Sequence, residues 1–191
     1  MITNGQLEGA QQKPSPNCGR PGSLRKPRQV VIHYTAGRNA ASAANWLCSK
    51  SSKASSHLVI GKNGDELFQL VRFDTIAWHA TIANKFSIGI ELDNPGPLVR
   101  VGGVWRSLVL GTTYSDEYVV EARHKNGGAL RGWLLYTDFQ ILLTREICRA
   151  LVETYPTIKD FVGHEDVVNT KTDPGPAWDM EALRTSVFGR V

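Results

Sequence analysis

The sequence lacks several features that would assign its class at once. Its three cysteines, Cys18, Cys48 and Cys148, are odd in number and contain no CxxC pair. A disulfide framework is therefore not predicted, and we expect free thiols. No run approaches the roughly eighteen consecutive apolar residues of a membrane-spanning helix. No basic start followed by an apolar stretch opens the chain, so no secretory signal is predicted.

Charge is too weak to name a partner. The net charge of +4 gives a mild attraction to polyanions, which suits an anionic cell wall as well as nucleic acid. There is no run of five or six like charges and no recognition-helix pattern, so we expect no nucleic-acid partner. The length of 191 residues and the 41% hydrophobic content predict one domain, which we expect to be monomeric.

Four segments have the composition of strands. Residues 29–34 are a short β-branched run typical of a buried central strand. Residues 56–60 and 66–71 flank Asn63-Gly64, a pair that favours a hairpin turn because both residues tolerate positive φ. Residues 86–92 alternate apolar with small or polar side chains and predict another strand.

Helical segments alternate with these strands. Residues 40–50 predict a small-residue helix, and Thr137 with Gln140 forms a capping box before the clearest apolar face in the chain. Residues 160–164 predict a short strand, and a last helix is expected near Trp178. The alternation predicts an α/β domain with a mixed central sheet flanked by helices.

Two segments lie outside this pattern. Residues 1–27 are rich in polar residues, Pro and Gly, and predict an N-terminal arm that is not part of the core. Residues 95–136 scatter Gly and aromatic residues without a steady period. A stretch this long predicts a functional insertion, with short strands, on the rim of the active site.

His33 and His164 both end predicted strands, where a side chain is held rigidly beside a cleft. Asp173 follows nine residues after His164, in a loop able to bring its carboxylate to the same ion. Two imidazoles and one carboxylate would leave an open position on a catalytic zinc. Spacing alone also permits one core histidine and two surface residues, since no HExxH motif is present.

Glu91 and Lys171 are candidates for proton transfer and charge stabilisation. Glu91 lies near the end of an apolar strand, where an acid is costly unless it is paired or functional. An ion pair or a solvent-facing position explains it equally well. Lys171, two residues before Asp173, would stabilise an oxyanion, although an ordinary exposed loop lysine fits its residue type better.

A resemblance to a known family bears on these alternatives. The chain resembles the N-acetylmuramoyl-L-alanine amidases, a family that includes phage lysozyme-type amidases, anhydro-muropeptide amidases and peptidoglycan recognition proteins. The resemblance follows the family's order through residues 30–37, 56–60 with Gly64, 77–80, 87–92, 162–164 and 171–175.

The resemblance implies a fold, a cofactor and site residues. It implies Zn²⁺ held by His33, His164 and Asp173, with Glu91 as general base and Lys171 as the second catalytic residue. Ser56 stands where some members have a tyrosine, as in the branch that uses a glutamate. The matched groove residues, implied to bind substrate, are Tyr34, His57, Trp78 and His79; Trp78 fits core packing equally well.

The expected activity is hydrolysis of the amide between the lactyl group of N-acetylmuramic acid and L-alanine. Peptidoglycan or a soluble muropeptide is the implied partner. A non-catalytic recognition module is the alternative, although such members usually lack the third ligand that Asp173 supplies here. A zinc peptidase that cuts within the stem peptide is a second alternative. Free thiols and the absence of a signal suit a cytoplasmic recycling enzyme or a phage enzyme released at lysis.

Overall fold

The computed structural model describes residues 1–189 of the chain. Its strands are β1 (Ile2–Thr3), β2 (Gln6–Leu7), β3 (Gln11–Gln12), β4 (Gln29–Tyr34), β5 (Leu58–Ile60), β6 (Leu67–Gln69), β7 (Ser87–Leu92), β8 (Pro97–Val101), β9 (Val104–Ser107), β10 (Thr113–Tyr114), β11 (Val119–Ala122), β12 (Arg131–Leu134) and β13 (Asp160–Gly163). Its α-helices are α1 (Ala40–Leu47), α2 (Asp138–Thr154), α3 (His164–Val167) and α4 (Met180–Phe188). Within these residues no helix is long and apolar enough to cross a membrane.

The central sheet has the strand order β13-β4-β7-β5-β6-β3. Strands β13, β4, β7 and β5 run parallel, whereas β6 is antiparallel to β5. Val30, Val31 and Ile32 are fully buried, because a parallel strand covered on both faces needs a continuous apolar run. The predicted α/β fold with a mixed sheet is confirmed, and the hairpin predicted at Asn63-Gly64 joins β5 to β6.

Helices cover both faces of this sheet. On one face α2 and α4 enclose the main core, to which Ile147, Cys148 and Leu151 contribute. On the other face α1 packs its alanines against Val59. The predicted capping box is present: the Thr137 hydroxyl accepts from the Gln140 backbone N–H, and the Thr137 N–H donates to the Gln140 side chain.

The N-terminal arm differs from its prediction. Leu7 and Leu24 are buried in the main core, and β3 adds a parallel strand beside β6. The buried amide of Asn17 donates to several backbone carbonyls of residues 47–54. The prediction that residues 1–27 form no core element is therefore wrong. Backbone pairing and one buried amide hold the arm in place, and neither produces a hydrophobic pattern.

Residues 95–136, the segment predicted as an insertion, contain five short strands. Strands β8 to β12 form a separate antiparallel sheet with the order β10-β9-β8-β12-β11. Leu98, Trp105 and Leu134 form its own small core. The insertion leaves the central sheet after β7 and returns at α2, so it begins at the edge where the parallel strands end.

Candidate active site

Three side chains meet at the carboxyl ends of the central parallel strands. His33 is on β4, and His164 follows β13, which pairs directly with β4. Asp173 returns on the loop after α3. The Asp173 Oδ2 atom lies 2.8 Å from His33 Nδ1 and 3.0 Å from His164 Nδ1, and the two Nδ1 atoms are 3.1 Å apart. The structure thus brings together the three residues that the sequence assigned to a metal.

All three residues are buried. Burial alone would raise the pKa of Asp173, but hydrogen bonds from His164 and His33 outweigh it and lower the pKa well below the usual range. Burial lowers the pKa of His33, against the opposing effect of Asp173. Both directions favour an ionised Asp173 carboxylate beside a neutral His33 imidazole, the protonation states in which these two groups bind metal.

The triangle of Nδ1, Nδ1 and Oδ2 atoms has a size that fits zinc. Tetrahedral zinc with bonds of about 2.0–2.1 Å to nitrogen and oxygen separates neighbouring ligand atoms by about 3.3 Å. The observed separations of 2.8, 3.0 and 3.1 Å are slightly shorter. An outward adjustment of a few tenths of an ångström would seat the ion, so the residues present fit a three-ligand zinc site.

His79 contacts the far side of His33. Its Nδ1 lies 2.9 Å from His33 Nε2, and its Nε2 lies 3.2 Å from the Ser87 hydroxyl, which donates to the Ala83 carbonyl. A Cβ on Gly89 would lie 2.6 Å from the His79 ring, so this glycine makes room for it. His79 is half-buried and borders the cleft, but both its ring nitrogens face the protein.

Glu91 and Lys171 share the same cleft. The parallel register places Glu91 on β7 directly beside His33 on β4. Burial raises the pKa of Glu91 well above its ordinary value, Asp173 adds to the rise, and Lys171 opposes it. Its Oε2 is buried and has no hydrogen-bond partner among residues 1–189. Lys171 is exposed at the mouth of the cleft.

The cleft has a volume of about 330 Å³, and its walls include three of the predicted groove residues, Tyr34, Trp78 and His79. Trp78 is 40% exposed there. Tyr34 lines the wall toward the insertion, and its hydroxyl lies 2.5 Å from that of Thr172. Burial raises the pKa of Tyr34 to about 12, so this phenol stays neutral and available as a hydrogen-bonding group.

The structure does not place His57 in the cleft. It is fully buried; its Nδ1 accepts from the Gly89 N–H and its Nε2 donates to the Thr75 carbonyl. Both ring nitrogens are thus used within the core, and no atom of the ring is open to a substrate. His57 stabilises the packing of β5 against β7, and the prediction that it binds substrate is corrected accordingly.

The sequence did not predict the residues that support the proposed metal ligands from the side away from the cleft. Ser87 and Glu165 have no motif, and His124 lies in the insertion, where no period guides interpretation. The one usable signal is Ser87, because its hydroxyl opens a largely apolar strand that contains only one other polar side chain, Glu91. His124 and Glu165 are 41 residues apart, and only the fold brings them together.

Comparisons with known proteins identify the family of the chain. A family model described as N-acetylmuramoyl-L-alanine amidase matches residues 23–176. The chain is 27% identical to the 1,6-anhydro-N-acetylmuramyl-L-alanine amidase AmpD of Escherichia coli K12, over 98% of this chain and 97% of that protein. It is similar to a solved selenomethionine AmpD derivative, with a TM-score of 0.64 and 24% identity over 98% of this chain and 99% of that one.

A second solved structure is similar to this chain and contains a ligand. It is the E. coli amidase AmiD in complex with anhydro-N-acetylmuramic acid-L-Ala-D-γ-Glu-L-Lys. The TM-score is 0.60 and the identity 25%, over 95% of this chain and 60% of that one. The range matched by the family model contains His33, Glu91, His164, Lys171 and Asp173.

Proposed function

The chain belongs to the N-acetylmuramoyl-L-alanine amidase family and is an enzyme of that class, and we propose that its activity requires a bound zinc ion. The proposed ligands are His33, His164 and Asp173. The observation that carries this proposal is their triangle of two Nδ1 atoms and one Oδ2 atom, with sides of 2.8–3.1 Å. Zinc held there would supply a Lewis acid that lowers the pKa of water toward about 7 and polarises a carbonyl.

Glu91 is the proposed general base. A carboxylate whose pKa is raised by burial is a stronger base than an exposed one, which suits it to take a proton from the attacking water. Its buried Oε2 has no competing hydrogen bond within residues 1–189, so it is the atom assigned to this step. The same carboxyl then delivers that proton to the amine of the leaving L-alanine.

Lys171 is the proposed electrostatic partner of the reaction. Its ammonium stabilises negative charge that develops on the lactyl carbonyl oxygen when water adds to the amide. The same positive charge lowers the pKa of Glu91 and so opposes the effect of burial. Lys171 therefore acts on both the oxyanion and the protonation of the base.

Tyr34 and Trp78 are the proposed substrate contacts. Trp78 offers an exposed aromatic surface, and Tyr34 offers a neutral hydroxyl held near Thr172. E. coli AmpD is named for a 1,6-anhydro substrate, and AmiD is seen with an anhydro-N-acetylmuramic acid peptide. By extension, the proposed substrate here is a soluble anhydro-muropeptide cut between the lactyl group and L-alanine.

The test measures products and rates on two substrates. Purified protein with zinc is incubated with anhydro-muropeptide and, separately, with intact sacculi, and free stem peptide is quantified by mass spectrometry. Faster release from the anhydro-muropeptide supports the proposed substrate, whereas faster release from sacculi contradicts it. Products cut within the stem peptide would indicate a peptidase, and binding without turnover would indicate a recognition module.

A further inference from the structure

The inserted sheet makes a second contact with the site, away from the substrate cleft. The connection between β11 and β12, residues 123–130, lies against residues 164–175. We call these segments the clamp loop and the ligand loop, since the second carries His164, Lys171 and Asp173. Tyr34 and Thr172 line both the cleft and a neighbouring pocket of about 470 Å³, and the wall of this second pocket includes His124.

Glu165 is the centre of the contact. Its Oε2 accepts from His124 Nε2 at 2.7 Å and from the Gly175 backbone N–H at 3.0 Å, while Lys125 lies 2.9 Å from its Oε1. The side chains of His124 and Glu165 are only 4% and 8% exposed. The Asn126 N–H donates to His124 Nδ1, which leaves the ring hydrogen on Nε2 and directs it to Glu165.

Further contacts from the insertion continue along the ligand loop. The Asn126 amide donates to the Glu165 carbonyl at 3.1 Å, and Lys125 lies 2.6 Å from an Asp166 carboxylate oxygen. A Cβ on Gly175 would lie 2.6 Å from the Trp133 ring, and its φ is +77°. Trp133 of β12 thus packs directly on the backbone at the end of the loop, and only glycine fits there.

Glu165 ties the two ends of the ligand loop together. It follows His164 directly, and through the Gly175 N–H it holds the backbone two residues beyond Asp173. The Glu165 N–H also donates to the Asp173 carbonyl. Glu165 thus joins the two ends of the ligand loop through both its backbone and its side chain, and His124 donates to the same side-chain oxygen that accepts from Gly175.

The two histidine ligands are supported differently. His33 lies on a central strand, and its second nitrogen contacts His79. His164 has a buried Nε2 with no hydrogen-bond partner within residues 1–189. Its ring orientation thus depends on the backbone of the ligand loop. Loss of the contacts between the clamp loop and the ligand loop would displace His164 and Asp173 while leaving His33 in place.

From these contacts we infer that His124 is a positioning residue, which holds Glu165 so that the ligand loop presents His164 and Asp173 together to zinc. The inserted sheet is accordingly part of the scaffold of the metal centre. This inference rests on the proposed zinc site, and it assigns the insertion a role separate from substrate contact.

The test compares zinc affinity across variants by competition with a chromophoric chelator. His124→Ala removes the donor to Glu165, and the expected dissociation constant for zinc is about 10- to 100-fold higher, the usual effect of losing a residue that orients a ligand. His124→Gln, whose amide nitrogen can donate to Glu165, should restore most of the affinity. Arg123→Ala is the matched control, because that guanidinium lies in the clamp loop and donates to the Gly128 carbonyl of the same loop.

Glu165 provides an independent pair of variants if His124→Ala does not fold. Glu165→Gln keeps an oxygen that accepts from His124 and Gly175, so its zinc affinity should remain within about threefold of the parent. Glu165→Ala removes that oxygen, and its dissociation constant for zinc should rise about 10- to 100-fold, as in His124→Ala. In folded His124→Ala and Glu165→Ala, kcat should fall while KM for the muropeptide stays nearly constant, and Arg123→Ala should change neither.

The outcomes separate this inference from the proposed function. If the parent enzyme binds no zinc, the proposed metal centre itself is refuted. If the parent binds zinc and both His124→Ala and Glu165→Ala bind it equally well, the positioning role is overturned. Equal losses in Glu165→Gln and Glu165→Ala would also overturn it, because they would show that the accepted hydrogen bonds do not matter.

Discussion

Replacing His79 tests how His33 is oriented. When Nδ1 of His33 binds a metal, its ring hydrogen lies on Nε2 and donates to His79 Nδ1, 2.9 Å away. His79 then carries its own hydrogen on Nε2 and donates to the Ser87 hydroxyl, which donates to the Ala83 carbonyl. Each donor has an acceptor, so this chain selects the tautomer of His33 that binds through Nδ1.

The size of the effect follows from burial. His33 is 2% exposed, so His79→Leu would leave a buried N–H without a partner. An unsatisfied buried donor costs about 1–3 kcal/mol, which corresponds to a factor of about 5 to 150 in a dissociation constant. We expect the zinc dissociation constant of His79→Leu to rise about 10- to 100-fold, in line with other residues that orient ligands.

His79→Asn is the matched variant, because an asparagine oxygen can occupy nearly the position of Nδ1 and accept the same hydrogen. His79→Asn should recover much of the zinc affinity. Ser87→Ala should lose less zinc affinity than His79→Leu, because Ser87 contacts His79 and not His33. Chelator competition gives the constants, and thermal melting of the zinc-free forms shows that the variants are folded. Zinc affinity unchanged in folded His79→Leu would refute the proposed role of this hydrogen-bond chain.

Three further predictions concern proton transfer and pH. Glu91→Gln should lower kcat by about 10²- to 10⁴-fold with zinc binding retained, and a kcat near that of the parent would exclude Glu91 as the base. Burial lowers the pKa of His57 to about 4, against the Thr75 carbonyl and Asp74, which raise it. Neutral His57 stabilises the fold fully above the unfolded pKa of about 6.5. As the pH falls toward 4, the unfolded chain binds a proton at His57 that the folded protein does not, so the free energy of unfolding should fall by about 3 kcal/mol. Urea unfolding should show this loss in the parent and not in His57→Gln. Burial raises the pKa of Asp93 to about 6. As the pH rises, Asp93 ionises at a lower pH in the unfolded chain than in the folded protein, so the free energy of unfolding falls between about pH 4 and pH 6. By urea unfolding, Asp93→Asn should therefore be about 1–3 kcal/mol more stable than the parent at pH 7 but not at pH 4.

The features predicted correctly from sequence are those with a local pattern. The β-branched run at 29–34 had to be a buried strand, and the capping box at Thr137 fixed where α2 begins. His33 and His164 were identified as strand-end residues by position alone, and the family resemblance added the remaining members of the site.

The features that were missed depend on contacts between distant residues. The N-terminal arm joins the central sheet through backbone pairing at β3, which leaves no mark on side-chain composition. The family resemblance implied that His57 lies in the groove, yet both its ring nitrogens face the core. His124 lies in a segment without periodicity and gains its partner only when the inserted sheet folds onto the ligand loop.

The most direct test of the zinc amidase mechanism combines metal content with product mass. Metal-free protein is titrated with zinc while anhydro-muropeptide is present, and the release of free stem peptide is followed by mass spectrometry. We expect activity to rise to a plateau at one zinc per chain, and we expect every released peptide to begin with L-alanine. Replacing His33, His164 or Asp173 by alanine should abolish zinc-dependent activity. Full activity in the metal-free protein, or peptides that lack the N-terminal L-alanine, would contradict the zinc amidase mechanism.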